Sequence, residues 1–331
     1  MIRRPVLAAV LAALLLTCSA ACGGAPSAPS AAPSDKAVTL GFSAWPGWFP
    51  WQVAQEKGLF ARNGVQVELK YFDSYTDSLT ALATGNIDAN SQTLNDTLAS
   101  VSGGARQTVV LVNDNSTGND QIIARPGITS VAQLKGRTVA AEQGTVDHYL
   151  LLLALRKAGL TPADVTFKPL PTDAAAAAFK AGQVDAVGVF APFTTTALEL
   201  PGSAAIATSK DFPGAIPDHL VVSRTLASSR PEVVQGLVKT WFDTVAWIGA
   251  NKAEARTIMA RRAGVSEQDY AEYDAGTTIF SLADNREAFG SGSLERQAKE
   301  IAAFLTESGL ADTAPSLDGL LDPRFVQGVS S

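Results

Sequence analysis

The sequence predicts an α/β protein built from two similar lobes, and two observations carry that prediction. Thr84-Gly85-Asn86-Ile87-Asp88-Ala89 is echoed about a hundred residues later by Ala181-Gly182-Gln183-Val184-Asp185-Ala186. Each copy closes an Ala-rich helical stretch with Gly, where a helix C-terminus favours a left-handed residue, and then enters a short apolar strand. The match extends upstream in the same order. Lys57-Gly58-Leu59 and a strand over 65–71 are mirrored by Lys157-Ala158-Gly159-Leu160 and a strand over 165–170. Both halves read helix, Gly-Leu turn, strand, helix, Gly, strand, which suits two α/β lobes with a cleft between them; the alternative is coincidence in an Ala/Gly-rich chain. Asp88 and Asp185 fall at strand starts, away from the cleft, and read as structural.

The elements follow from period and punctuation. A strand over 38–42 leads into the loop Ser43-Ala44-Trp45-Pro46-Gly47-Trp48-Phe49-Pro50 and a helix over 51–57. A strand over 66–72, a helix over 75–83, a strand over 87–90 and a helix over 94–101 come next. Strands over 108–113 and 121–124 flank the polar loop Asp114-Asn115-Ser116-Thr117-Gly118-Asn119-Asp120. The second lobe carries strands near 138–141, 165–170 and 186–190, with helices over 146–157 and 173–181. A return strand over 218–222 precedes a helical region, in which Val234, Leu237, Val238, Trp241, Val245 and Ile248 recur at helical spacing after Pro231. Further helices are expected over 252–263, 267–275 and 294–308. Lobe 1 is therefore discontinuous, 37–123 with 221–331, and lobe 2 is 124–220, so the chain crosses twice and forms a hinge.

The N-terminus reads as an export address. Arg3 and Arg4 precede an apolar run over 6–16, too short to span a bilayer and shaped like a secretory signal. Cys18 and Cys22 are the chain's two cysteines, which excludes a disulfide framework or a cysteine nucleophile in the mature domain. Cys22, after Ser19-Ala20-Ala21 and before Gly23-Gly24, is similar to the lipid-attachment cysteine of a bacterial lipoprotein; ordinary cleavage after Ala21 is the alternative. Residues 1–22 are thus a lipoprotein signal, and the Gly/Ala/Pro/Ser run over 23–36 a flexible tether. The location expected is extracytoplasmic, anchored by lipid to the cell membrane. A net charge of -6 without a basic block makes nucleic acid an unsuitable partner.

Taken in order, Gly58-Leu59-Phe60, Ala83-Thr84-Gly85-Asn86-Ile87-Asp88-Ala89, Leu134-Lys135-Gly136-Arg137-Thr138-Val139 and the second Gly-Gln-Val-Asp-Ala resemble the solute-binding proteins of ABC importers, more narrowly the nitrate, sulfonate and taurine group. Trp45-Pro46-Gly47-Trp48, Asn113 to Asp120, Thr145-Val146-Asp147-His148-Tyr149-Leu150-Leu151 and Thr172-Asp173-Ala174 look like a branch encoded beside urea carboxylase and linked to guanidine. Phe190-Ala191-Pro192-Phe193 stands where that branch has a Trp-Asn-Pro run. The resemblance implies a type II periplasmic-binding-protein fold with a helical C-terminal region, acting as a monomer with an ABC permease and its ATPase subunits.

Ligands of such folds sit beyond the carboxyl ends of the strands. The charged residues there are Asp73, Asp77, Asp96, Asp114, Asp120, Glu142, Asp147, Asp173, Asp211 and Asp218, opposed only by Lys210. A buried anion needs counter-charge, so this ring favours a cation; helix N-termini near Gln92 and Gly144 keep the anion alternative open. Most of these acids read as caps and turns, and Asp96, Asp114 and Asp147 are the expected ligand contacts. Trp45 and Trp48 read either as a sandwich for a flat cation or as a hydrophobic plug, and Phe190 with Phe193 as the opposite wall or as core. Gln92, Thr93 and Asn95 offer neutral hydrogen-bonding groups in lobe 1; Asn115, Thr145, His148 and Asp218 complete the candidate site. His148 and His219 are too far apart in sequence to suggest a metal, and no cofactor is expected. No Gly-x-Ser-x-Gly or paired catalytic carboxylates appear, so the sequence reads as a binder rather than an enzyme. The expected solute is small and nitrogen-containing, a planar cation such as guanidinium. The alternatives are a sulfonate, taurine or nitrate-type anion, a pyrimidine precursor, or a sensor that does not transport.

Overall fold

The computed structural model describes residues 36–330. The expected signal segment, Cys22 and all but the last residue of the tether lie outside them. The described strands are β1 Val38–Ser43, β2 Val67–Phe72, β3 Ala89–Thr93, β4 Gln107–Ser116, β5 Asp120–Ala124, β6 Thr138–Ala141, β7 Thr166–Pro169, β8 Ala186–Phe190, β9 Ala204–Thr208, β10 Pro217–Ser223 and β11 Thr277–Ile279. They form two sheets, ordered β11-β4-β10-β3-β1-β2 and β7-β6-β8-β5-β9.

The sheets repeat one plan. In the first, β1 pairs in parallel with β2 and β3, and β10 runs antiparallel to β3 and β4. In the second, β6 pairs in parallel with β7 and β8, and β5 runs antiparallel to β8 and β9. The internal antiparallel strand of each sheet, β10 or β5, is the one that has just crossed from the other lobe. Gly85 and Gly182 take φ of 76° and 73° at the equivalent helix ends, as the doubled pattern requires. Asp88 and Asp185 also do one job twice. Asp88 Oδ2 accepts the Thr39 amide at 3.0 Å, and Asp185 Oδ2 accepts the Thr138 amide at 3.0 Å, each tying the start of the lobe's central strand to its neighbour.

Sheet membership corrects the crossing points. β5 belongs to the second sheet and all of β10 to the first, so the chain crosses at 117–119 and 209–216 rather than at 124 and 220. The polar run from Asp114 is not a loop at its start. β4 continues through Ser116 because its last residues pair with β10 on one side and β11 on the other, which satisfies a backbone that polar side chains would otherwise leave to water. β9, β11 and the helices Phe193–Leu198 and Leu282–Gly290 were not anticipated.

Apolar burial holds each layer. The helix Val146–Lys157 covers the second sheet with Leu150 to Leu155 all buried, and the helix Pro231–Ala250 buries Val234, Leu237, Val238 and Trp241 behind the first. Trp51 stacks on Phe60 and packs at a tilt against Trp241 in that rear core, with its indole N–H donated to Ser91. The sequence thus spends its bulky rear aromatics on packing, and the strand ends are left to carry the polar groups of the cleft. No helix among the described residues is long and apolar enough to cross a membrane.

Candidate functional site

The strand ends of both lobes converge on a small cavity lined by Trp45, Trp48, Tyr75, Thr93, Asp120, Val146, Phe190, Ile216 and Asp218. The space left between these side chains is ≈ 10 Å³, about that of one water molecule. Lobe 1 supplies Trp45 and Trp48 from the loop after β1, Tyr75 from the start of the helix Tyr75–Ala83, Thr93 from the end of β3 and Asp218 from β10. Lobe 2 supplies Asp120 at the start of β5, Val146 at a helix N-terminus and Phe190 at the end of β8. The aromatic rings meet across the cleft: Trp45 and Tyr75 each lie 6.2 Å from Phe190, Trp48 lies 5.4 Å from Tyr75, and Phe193 backs Phe190 at 5.4 Å.

The loop that carries the two tryptophans is built around an acid. Trp45 donates its indole N–H to Asp114 Oδ1 at 2.9 Å, and Tyr270 donates its hydroxyl to the Pro46 carbonyl. A Cβ on Gly47 would fall 2.0 Å from Asp114 Oδ2, so the loop can close over that carboxyl only with Gly at its tip. Asp114 and Asp218 are in-register neighbours on β4 and β10, with their carboxyls face to face. Burial raises both above the ordinary carboxylate range, and Asp218 is held higher still by the charges of Asp114 and Asp120.

A second layer of acid surrounds this pair. Burial pushes Asp120 up to about 7, with the Asp114 charge adding to the shift. Asp96 is also pushed up to about 7 by burial, although Thr93 donates to it at 2.7 Å and Asn95 at 2.9 Å. Thr93 also accepts the Asp96 amide as the helix N-cap, so the turn that starts the helix Leu94–Ser102 is what buries this acid. Asp147, 1% exposed, is raised well above the ordinary range by burial and by Glu142, Asp120 and Asp96. Thr172 bridges Asp147 and Glu142 at 2.7 Å each, and Thr76 reaches from lobe 1 to Glu142 at 2.5 Å. None of these acids has an ion-pair partner among the described residues, whose ion pairs lie elsewhere. His219, next to Asp218, is held neutral by burial, its pKa pushed down to about 3.

Unpartnered atoms show what the cavity lacks. Asp114 Oδ2, Asp120 Oδ2, Asp147 Oδ1 and both oxygens of Asp218 are buried and accept from no N–H or hydroxyl donor of the protein, against one unpartnered donor on a cavity wall, the Trp48 indole N–H. The arrangement asks for a ligand rich in N–H donors. The helix N-terminus that could hold an anion is already faced by a carboxyl, because the Val146 amide points at Asp96. Among the described residues no group of three or more His, Cys, Asp or Glu is arranged to hold a metal ion.

Trp45, Trp48, Thr93, Phe190 and Asp218 of the sequence candidates line the cavity, and Asp96, Asp114 and Asp147 stand directly behind it. Others turn away. Gln92 bonds Asn90, Thr97 and Gln107 within lobe 1, and Asn95 is turned to Asp96. Thr145 donates to the Glu142 carbonyl. His148 stacks on Phe167 at 4.4 Å, outside the cavity wall. Asn115 lies on the other side of β4, in an open recess of ≈ 630 Å³ between the helices Val146–Lys157 and Ser293–Glu307. That larger recess has its polar groups engaged, Arg156 with Phe304 and Glu307 and Gln297 with the Gly214 carbonyl, so its size is not evidence of a site. Tyr75, Asp120, Val146 and Ile216 are lining residues outside the candidate set; Asp120 stands among the ten acids counted near the strand ends, and the other three are ordinary in sequence and reach the cavity only when the lobes meet.

The chain is similar to known binding proteins over most of its length. A protein of Brucella abortus named as a binding protein is 28% identical over 279 residues, 82% of this chain and 83% of the relative. The taurine-binding periplasmic protein of Escherichia coli is 27% identical over 288 residues, 84% of this chain and 89% of the relative. Among solved structures, the alkanesulfonate-binding protein of Xanthomonas axonopodis pv. citri bound to MOPS superposes with a TM-score of 0.77 at 22% identity, covering 88% of this chain and 100% of that one, which supports the two-lobed fold. The model of the NMT1-like family matches residues 31–264, and this chain, with its paired lobes and the cleft between them, belongs to that family.

Proposed function

We propose that this protein is the extracytoplasmic solute receptor of an ABC importer and that its cleft takes a small planar cation, guanidinium being the best fit. The observation that carries the cation reading is the set of buried carboxyl oxygens without a protein donor, on Asp120 and Asp218 in the cavity wall and on Asp114 and Asp147 behind it, in a cavity whose walls bear no basic side chain. Guanidinium is flat, offers N–H donors around its whole edge, and presents faces to aromatic rings. Trp45, Trp48, Tyr75 and Phe190 supply such rings. The receptor role rests on family membership and on relatives named as binding proteins. On this reading the lobes capture the solute and close, the closed face engages a permease with its ATPase subunits, Cys22 carries a lipid anchor, and the protein works as a monomer without turnover.

The second reading is a taurine or sulfonate ligand, favoured by the likeness to the taurine-binding protein of Escherichia coli. It requires the negative group of the ligand to enter among these acids. Calorimetric titration of the purified protein with guanidinium, urea, taurine and nitrate separates the two. Binding of guanidinium alone supports the cation reading, and binding of taurine or nitrate without guanidinium overturns it.

A further inference from the structure

The cleft holds more carboxyl groups than one small cation neutralises, and the geometry shows how the surplus is accommodated. Thr172 Oγ1 lies 2.7 Å from Glu142 Oε2 and 2.7 Å from Asp147 Oδ2. A hydroxyl has one hydrogen, so it donates to one carboxyl and must accept from the other, which then carries a proton itself. Asp114 and Asp218 face each other in register with three of their four oxygens lacking any protein donor, an arrangement two ionised carboxylates cannot hold but a carboxylate and a carboxylic acid can. The groups around these pairs are Tyr75, Thr76, Thr93 and Asp96 from lobe 1, Asp120 and the Val146 helix start from lobe 2, Tyr270 behind the Trp45 loop, and the neutral His219. No cation stands among them.

Resting on the cation reading, we propose that the closed site stores protons on its carboxyl groups and that capture of the solute expels about one of them, making uptake an exchange of a cation for a proton. An O–H bond of a buried carboxylic acid breaks, the proton leaves to water, and the carboxylate left behind faces the incoming charge. The charge of the cleft stays nearly constant through the exchange. The Asp114–Asp218 pair is the nearer proton source, since Asp218 lines the cavity; the Glu142–Thr172–Asp147 bridge is the reserve behind it.

The raised acids also set a sign for stability. Asp96 and Asp120 titrate near 7 in the fold against 3.8 in an unfolded chain, so the folded form holds the extra protons between those values. The stability they contribute is present below about pH 4 and is lost as pH rises through about 7, and a bound cation restores it.

The test is calorimetry with guanidinium chloride at concentrations far below denaturing ones, in phosphate and in Tris at matched pH. The expected result is a difference in apparent enthalpy matching about one proton released, with affinity falling by about tenfold per pH unit below pH 7. Equal enthalpies in both buffers with a flat pH profile overturn the exchange. Infrared spectroscopy of the ligand-free protein at pH 7 provides the independent readout. A protonated-carboxyl band that weakens as pH rises and weakens in Asp147→Asn is expected; no such band overturns the proposal. Thr172→Val serves if Asp147→Asn does not fold, and should alter the same band. If guanidinium does not bind, the cation reading fails, and the infrared band still decides whether the site stores protons.

Discussion

At the base of the two lobes Asp88 and Asp185 each accept a backbone amide at 3.0 Å, and Asp185 also lies 3.5 Å from Arg125 and 3.9 Å from Arg137. In the cleft, Asp218 is 1% exposed with neither carboxyl oxygen accepting from a protein donor, beside Asp114 with one such oxygen. The same residue type is spent on the fold in one region and withheld from it in the other. The difference lies in the partners: a carboxylate given an amide and a guanidinium stabilises a strand start, whereas a buried one given another carboxylate destabilises the free protein until a cation arrives.

Asp218→Asn should break the comparison most severely. Removing one partner of a buried charge pair costs about 2–5 kcal/mol, so guanidinium affinity should fall at least about 30-fold in calorimetry. The same variant should melt at a higher temperature than wild type at pH 8 without ligand, because a neutral amide replaces a buried carboxyl that must hold a proton to sit beside Asp114; a lower melting temperature would put Asp218 with Asp88 as a structural acid.

Gly47→Ala comes next. Its methyl would overlap the Asp114 carboxyl, and an overpacked site loses about 1–3 kcal/mol. The expected outcome is a loss of affinity of about 5-fold or more, since the Trp45–Trp48 loop can no longer close.

Trp45→Phe keeps a ring against Phe190 and removes only the indole hydrogen bond to Asp114. A loss of about 1 kcal/mol, near fivefold in affinity, is expected, with a shift in the pH profile because Asp114 loses its donor.

Asp88→Asn and Asp185→Asn sharpen the other side. Each should cost about 1 kcal/mol of stability in denaturant unfolding and leave guanidinium affinity within about twofold. A large affinity loss in either would mean that the strand starts communicate with the cleft.

Much of this was legible because it is local. The Gly-x-hydrophobic-Asp-Ala repeat predicts both lobes, since a left-handed glycine, a strand start and a carboxyl that bonds the neighbouring strand all fall within a few residues. The acidity of the cleft could be read in the same way, by locating charges after strand ends. The polar run at Asp114 misled, because Asp, Asn and Ser are poor strand formers and only pairing between β10 and β11 makes them a strand. That placement also separates Asp114, which stands behind the Trp45 wall of the cavity, from Asn115, which lies in the recess on the other side.

By itself, then, the sequence determined the α/β class, the duplication, the aromatic loop and the excess of carboxyls over basic residues near the strand ends, all properties of short segments and of composition. Only the tertiary structure decided which acids meet. Asp114 and Asp218 lie about a hundred residues apart in the chain, and β10 brings them together only after the chain has built the second lobe and returned. Tyr75 and Phe190 become walls of one cavity only across the closed cleft. Contacts made by closure depend on long-range packing, and no local spacing records them.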